Sequence, residues 1–166
     1  MLNYVEGMER HTPVSAVNRI LPFAVEASWA TNRWESLQKF TNKYQGDRTE
    51  NFNICVAQAL LHLQKGKKKD FLDEMNALRE RVGSSLTFST TTSLQACHEP
   101  MLNAHVLTDL ELIAGVSGDH GQHVQDTVKT LDRRLAVLGS YVNDKQYLLG
   151  IRRAAMELMR YDSHVS

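Results

Sequence analysis

Apolar residues recur three and four positions apart along most of this chain, and strand-like alternation is nearly absent. In "NFNICVAQALLHLQ", Phe52, Val56, Ala59, Leu60 and Leu63 fall on one helical face. The run stops at "KGKKKD". Beyond it Phe71, Leu72, Met75, Leu78 and Val82 trace a second amphipathic stripe, expected to end at Gly83. The two stripes read as a helical hairpin. Leu102, Val106, Leu110 and Ile113 repeat at helical spacing in "MLNAHVLTDLELIAG", with Pro100 placed in the first turn. "VSGDHGQH" then reads as a polar, glycine-containing loop. Val124, Val128, Leu131, Leu135 and Leu138 form a long stripe that "GSYVND" breaks, and Tyr147, Leu148, Ile151, Ala155 and Leu158 form the final one.

"EASWATNRWESLQKF" holds both tryptophans of the chain, Trp29 and Trp34. On a single helix, positions five apart point about 140° away from each other, so the two indoles would not share one stripe. A break resolves this. One helix, with Pro22 in its first turn, is expected to end near Thr31 or Asn32. Another begins near Arg33, carries Trp34, Leu37 and Phe40, and fades at Gln45, Gly46 and Asp47. Both rings then face one seam of a hairpin. "SSLTFSTTTSLQACHEP" is less defined, because Ser and Thr weaken helix propensity and Thr also suits strands. Helix is favoured there, starting softly with Ser84 or Ser85 as its cap.

Three prolines and nine glycines fall where the periodicity fails. The expected fold is therefore all-α, a solenoid of antiparallel helical hairpins with about eight helices and short loops. It is read as one helical-repeat domain over 1–166, with a flexible stretch at 1–15. "ATNRWESL" and "QKGKKKDFL" both place a polar or basic turn before an aromatic, with Trp34 and Phe71 thirty-seven positions apart, near the tetratricopeptide period. "VNDKQYLLGIRRA" is a looser third copy around Tyr147.

With 42% hydrophobic and 23% charged residues in 166, the chain has enough apolar material for a core. Nineteen basic residues balance nineteen acidic ones, which leaves no global electrostatic footprint for nucleic acid or an anionic membrane. The first residues lack an uninterrupted apolar stretch of the signal-peptide kind, and no segment has the 18 or so apolar residues of a membrane span. Cys55 and Cys97 sit in apolar patterns without ligand-like spacing, and are read as buried free thiols in a reducing compartment.

Candidate chemistry is sparse. There is no G-x-G-x-x-G, no G-x-x-x-x-G-K-[ST], and neither H-R-D nor D-F-G. The lysines of "KGKKKD" could meet an acidic partner or phosphate, but a solvated turn between helices accounts for them better. Asp119, His120 and His123 could combine with His98, Glu99 or His105 to bind zinc, yet their spacing matches no recognised set, and a polar surface loop is the preferred account. The hydroxyls of "SSLTFSTTTS" have no visible base or oxyanion site beside them. Trp29 and Trp34 are read as core aromatics rather than a stacking box. No catalytic, cofactor-binding or metal-binding residue is assigned, and no cofactor is expected.

"VEASWATNRWESLQKF", "VAQALLHLQKGKKKDFLDEMNALRERV" and "YLLGIRRAAMEL", in that order, resemble the FAT region of the ATR/UvsB-like phosphatidylinositol 3-kinase-related protein kinases. The "SSLTFSTTTSLQACHEPMLNAHVLTDLELI" segment is similar to the family too, and the resemblance runs from about Val25 to Met159. It implies a tetratricopeptide-like scaffold of a nuclear serine/threonine protein kinase that answers DNA damage and stalled replication. Family members carry a C-terminal kinase domain, so this chain is expected to be a piece without it, inactive alone. No catalytic residue carries over. The partners implied are the remaining repeats and kinase domain of the parent protein, with no direct nucleic acid and no membrane. The rival reading is a free-standing repeat adaptor that binds a peptide, and a small metal-dependent helical enzyme is a remoter one. The apolar surplus of the last helix, at Tyr147, Leu148, Ile151, Ala155, Met156, Leu158 and Met159, is expected to exceed what one neighbour covers, leading the isolated chain to self-associate or to be marginally stable.

Overall fold

Two corners set the architecture. Helix α1 (Val14–Ala30) stops because Asn32 adopts φ 56°, which turns the Asn32 N–H back onto the Trp29 carbonyl at 3.3 Å and the Arg33 N–H onto that of Ser28 at 2.9 Å. This is a Schellman ending, with Asn in the left-handed position that glycine usually holds. Helix α2 (Trp34–Lys43) starts at once. Helix α3 (Phe52–Gln64), capped by the Asn51 side chain, which accepts the Ile54 N–H at 3.2 Å, ends the same way. Gly66 takes φ 65°, its N–H reaches the Leu63 carbonyl at 3.0 Å, and the Lys67 N–H reaches that of His62 at 2.9 Å. Asn32 and Gly66 are thirty-four positions apart, the tetratricopeptide period itself. The repeat is thus defined by its corners rather than by Trp34 and Phe71, because Trp34 opens α2 whereas Phe71 lies a turn inside the next helix.

The computed structural model describes residues 13–90, 95–115 and 121–162. Within them α4 (Lys68–Thr90), a single 3-10 turn (Gln95–Cys97), α5 (His98–Gly115), α6 (Gly121–Val137) and α7 (Val142–Asp162) follow the first three helices. The described residues are all-helical, an α-solenoid of short-looped hairpins. Neighbours in sequence pack in turn, α1 on α2, α2 on α3, α3 on α4 and α4 on α5, while α1 also meets α3. Leu21, Trp29, Leu37, Phe40, Ile54 and Leu60 are sealed in the first hairpins, and Trp34 packs partly buried on the same core, so both indoles face one seam.

Helix α7 does not extend the array outward. It lies against α1, α3 and α5 together. The Tyr147 ring meets that of Trp29 edge-on at 6.2 Å, and its hydroxyl donates to Asn53 Oδ1 at 2.6 Å. Arg153 donates to the Ala30 carbonyl at 2.8 Å, and Glu157 accepts from Asn32. Leu148, Ile151, Ala154 and Ala155 are fully buried as a result. The apolar surface of this helix, expected to exceed what one neighbour covers, is shared among three helices, while Leu149 stays 45% exposed.

Two helix boundaries also differ from the sequence reading. Pro22 lies in the interior of α1, not its first turn. A mid-helix proline costs about 3 kcal/mol; here Val17 and Leu21 extend the stripe of Ala24, Val25, Ser28 and Trp29 upstream and keep the helix going. Gly83 likewise does not end α4. The stripe of Met75, Leu78 and Val82 continues to Leu86, and Ser84 and Thr87, inside the helix, donate their hydroxyls to the Glu80 and Gly83 carbonyls at 3.0 Å each. Ser84 and Ser85 are therefore not caps. Such back-bonding gives each interior hydroxyl a partner at a small cost to the helix, and the helix continues past it.

Candidate docking site between the last two helices

Asp109 lies in the buried stripe of α5, between Val106 and Ile113, with no exposed surface. An ionised carboxylate there requires paired donors. It has two: Arg134 Nε of α6 reaches Oδ1 at 2.7 Å and Arg152 Nε of α7 reaches Oδ2 at 2.7 Å. One carboxylate therefore joins three helices. Arg134 also directs Nη2 to His105 Nδ1 at 3.0 Å, which requires the ring to be neutral and to accept at that nitrogen. Burial, reinforced by the Arg134 charge, lowers the His105 pKa from its ordinary value. With the imidazole neutral, the cluster holds two guanidinium groups against one carboxylate.

Each member stands three or four positions from a buried apolar residue: Asp109 from Val106, Arg134 from Leu131, Arg152 from Leu148 and Ala155. A charge inside an apolar stripe is the sequence signal of such a cluster. The sequence reading did not single it out.

Both α6 and α7 pack on α5, and between them runs a groove of about 580 Å³. Val128 and Leu131 line it from α6, Leu149 and Met156 from α7, with Asp132 also on its lining. Arg152 borders it as well, only 4% exposed, and its Nη2 is buried without a hydrogen-bond partner. Val124, Val128 and Leu149 remain between 40% and 47% exposed. Arg153 and Glu157 complete the lining, so the groove combines four apolar side chains with four charged ones.

Among the described residues, those weighed as metal ligands form no cluster. His98, at the start of α5, bonds Asp144 of α7 at 2.7 Å and lies 4.8 Å from the Tyr141 ring, while His105 belongs to the arginine cluster. Asp119 and His120, and with them most of the expected polar loop, lie outside the described residues, and Gly121 already opens α6. Lys65, Lys67, Lys68 and Lys69 are exposed at the α3 to α4 corner, with Lys67 Nζ 3.9 Å from Asp70. Cys55 and Cys97 are buried and not joined in a disulfide. Cys55 donates its S–H to the Arg48 carbonyl at 2.9 Å, and burial pushes its pKa up to about 11, away from reactive thiolate. Among the described residues no helix is long and apolar enough to cross a membrane.

Comparison with known proteins places this geometry. The model of the FAT domain matches residues 21–164. Serine/threonine-protein kinase MEC1 of Kluyveromyces lactis is 27% identical over 142 residues, covering 85% of this chain and 6% of that kinase. The chain thus spans a small part of the length of the curated relative it matches. No solved structure matches. With a model match that takes in every described helix but the start of α1, the chain belongs to the FAT domain family.

Proposed function

We propose that this chain is a scaffold segment of an ATR-like serine/threonine protein kinase of the DNA-damage and replication-stress checkpoint, acting in the nucleus and holding other parts of that kinase rather than performing chemistry. The observation that carries the reading is the FAT-domain match over 21–164, reinforced by the likeness of 85% of the chain to a serine/threonine-protein kinase. The structure fits such a role. Its polar cluster joins helices, and the groove between α6 and α7 presents apolar and charged side chains together.

Full-length sequencing of the transcript tests this. A reading frame that continues from these helices into a kinase domain is the expected result, and an adaptor without one would overturn it. Calorimetry of the isolated chain with magnesium and ATP is expected to give no saturable heat, since no metal-binding set is assembled among the described residues and the sequence carries no phosphate-cradling motif. Saturable binding would contradict the scaffold reading.

A further inference from the structure

Glu26, half-buried on α1, lines a cavity of about 290 Å³ that opens between α1 and α7. Among the described residues it has no ion-pair partner, and its one hydrogen bond, from Asn53 Nδ2, is 3.5 Å long. Asn53 is committed elsewhere: it accepts the Tyr147 hydroxyl at Oδ1 at 2.6 Å and donates Nδ2 to the Pro22 carbonyl at 3.3 Å. Arg153 of α7 is engaged at the carbonyl of Ala30, another residue of the cavity wall, at 2.8 Å. Burial raises the Glu26 pKa, the Asn53 bond lowers it by less, and no cation offsets the burial. A carboxylate held in this way is disfavoured in its charged form until an opposite charge joins it.

The opposite wall supplies a second observation. Gly150 lies inside α7, where glycine is less favourable than alanine. Its backbone does not call for glycine, since its φ is not positive and a Cβ there would meet nothing closer than Trp29 Nε1, at 4.0 Å. What the missing side chain does is leave the cavity open beside Trp29. Trp29 and Tyr147 give the cavity aromatic walls, and Asn143 and Gln146, both exposed, bring carboxamides to its lining.

We infer that this cavity binds the arginine side chain of a partner protein segment, with the guanidinium paired to Glu26 and packed against the Trp29 and Tyr147 rings. The chemistry selects this occupant. Guanidinium is planar, more weakly hydrated than ammonium and suited to aromatic faces, so it enters a half-buried aromatic site at less cost than lysine does. Its paired N–H groups match both oxygens of a carboxylate, and those left over suit the carboxamide oxygens of Asn143 and Gln146. A metal ion is not provided for, because the described residues hold no cluster of three ligands. The inference goes beyond the scaffold reading, since it concerns what the seam of α1 and α7 recognises and holds whether or not a kinase domain follows.

The test titrates the isotope-labelled chain with the peptide acetyl-Ala-Arg-Ala-amide and follows the indole N–H of Trp29 by nuclear magnetic resonance. The indole of Trp34, which does not line the cavity, is the internal reference. A saturable shift of Trp29 alone is expected. The same peptide with citrulline, the neutral isostere of arginine, is expected to give no saturable shift, and the lysine peptide to bind about threefold more weakly. Glu26→Gln keeps the shape of the site and removes its charge, and is expected to weaken the arginine peptide about tenfold. Gly150→Ala is expected to weaken it about threefold while the melting temperature holds or rises, which separates lost binding from lost folding. Absence of a saturable Trp29 shift would overturn the inference, and so would a citrulline peptide that binds as well as the arginine one. A lysine peptide of equal affinity would overturn the guanidinium in favour of any cation. Unchanged affinity in Glu26→Gln, or in a stable Gly150→Ala, would place the binding outside this cavity.

Discussion

Helices α6 and α7 are alike in length and both amphipathic, yet the molecule treats them in opposite ways. Helix α7 is enclosed by α1, α3 and α5 and buries Leu148, Ile151, Ala154 and Ala155 completely. Helix α6 packs mainly on α5, buries Leu131, and leaves Val124, Val128 and Val137 exposed. The difference teaches that the order of helices along the chain does not decide which of them is open. The terminal helix folds back onto the first hairpin and closes the core, and the penultimate helix carries the exposed apolar stripe. A stripe shows that a helix has an apolar face, not how many neighbours cover it.

The largest effect that could break this comparison is a charge in the α7 seam. Leu148→Glu is expected to unfold the chain, at about 4 kcal/mol or more, because the site has no exposed surface and no partner cation is designed for it. Loss of the circular dichroism signal reports it, and a folded variant would mean that α7 is not enclosed.

Next comes the tie that both helices share. Asp109→Ala leaves Arg152 buried beside a second arginine and is expected to cost about 3–5 kcal/mol in urea unfolding. Asp109→Leu combined with Arg152→Met is expected to cost less than Asp109→Ala alone, since the remaining Arg134 is partly exposed and can turn to water. A double variant less stable than the single one would show that the cluster contributes more than the pairing of its charges.

A smaller effect is pH dependence through His105. Its folded-state pKa lies below the ordinary value, so the unfolded chain takes up the proton first as pH falls. The stability it contributes is complete above the ordinary histidine range and is lost as pH falls through and below it. His105→Gln is expected to flatten that part of the stability profile between neutral and mildly acidic pH. An unchanged slope would place the titration elsewhere.

The smallest effect is at the open face. Val124→Ser and Val128→Ser are expected to change the stability of the isolated chain by no more than about 0.5 kcal/mol, as exposed positions do. A loss above 1–2 kcal/mol would show that α6 is covered after all.

These contrasts mark what a single sequence carries. The corners at Asn32 and Gly66 were legible because local chemistry decides them: a residue tolerant of positive φ between two apolar runs stops one helix and lets another begin. The Trp29 and Trp34 seam followed from helical geometry alone. Gly83 and Pro22 misled, because the local breaking tendency of each is overridden by apolar stripes that continue past it to Leu86 and from Val17. The docking of α7 on α1 was not legible. It depends on contacts such as Tyr147 with Asn53 and Arg153 with Ala30, spanning 94 and 123 positions, which no periodicity encodes. The Asp109, Arg134 and Arg152 cluster lay between these extremes. Each charge stands inside an apolar stripe, which signals burial, but nothing in the chain order signals that the three meet.

Amide hydrogen exchange of the isolated chain measures the contrast between α6 and α7 most directly, because exchange reads the stability of each helix separately. Amides of α7 from Leu148 to Leu158 should open only with the whole molecule, matching the core amides of α3. Those of α6 from Val124 to Ala136 should exchange at least tenfold faster, through an opening that leaves the rest folded. Equal protection of the two helices, or faster exchange in α7 than in α6, would contradict the closed terminal helix and the open penultimate one.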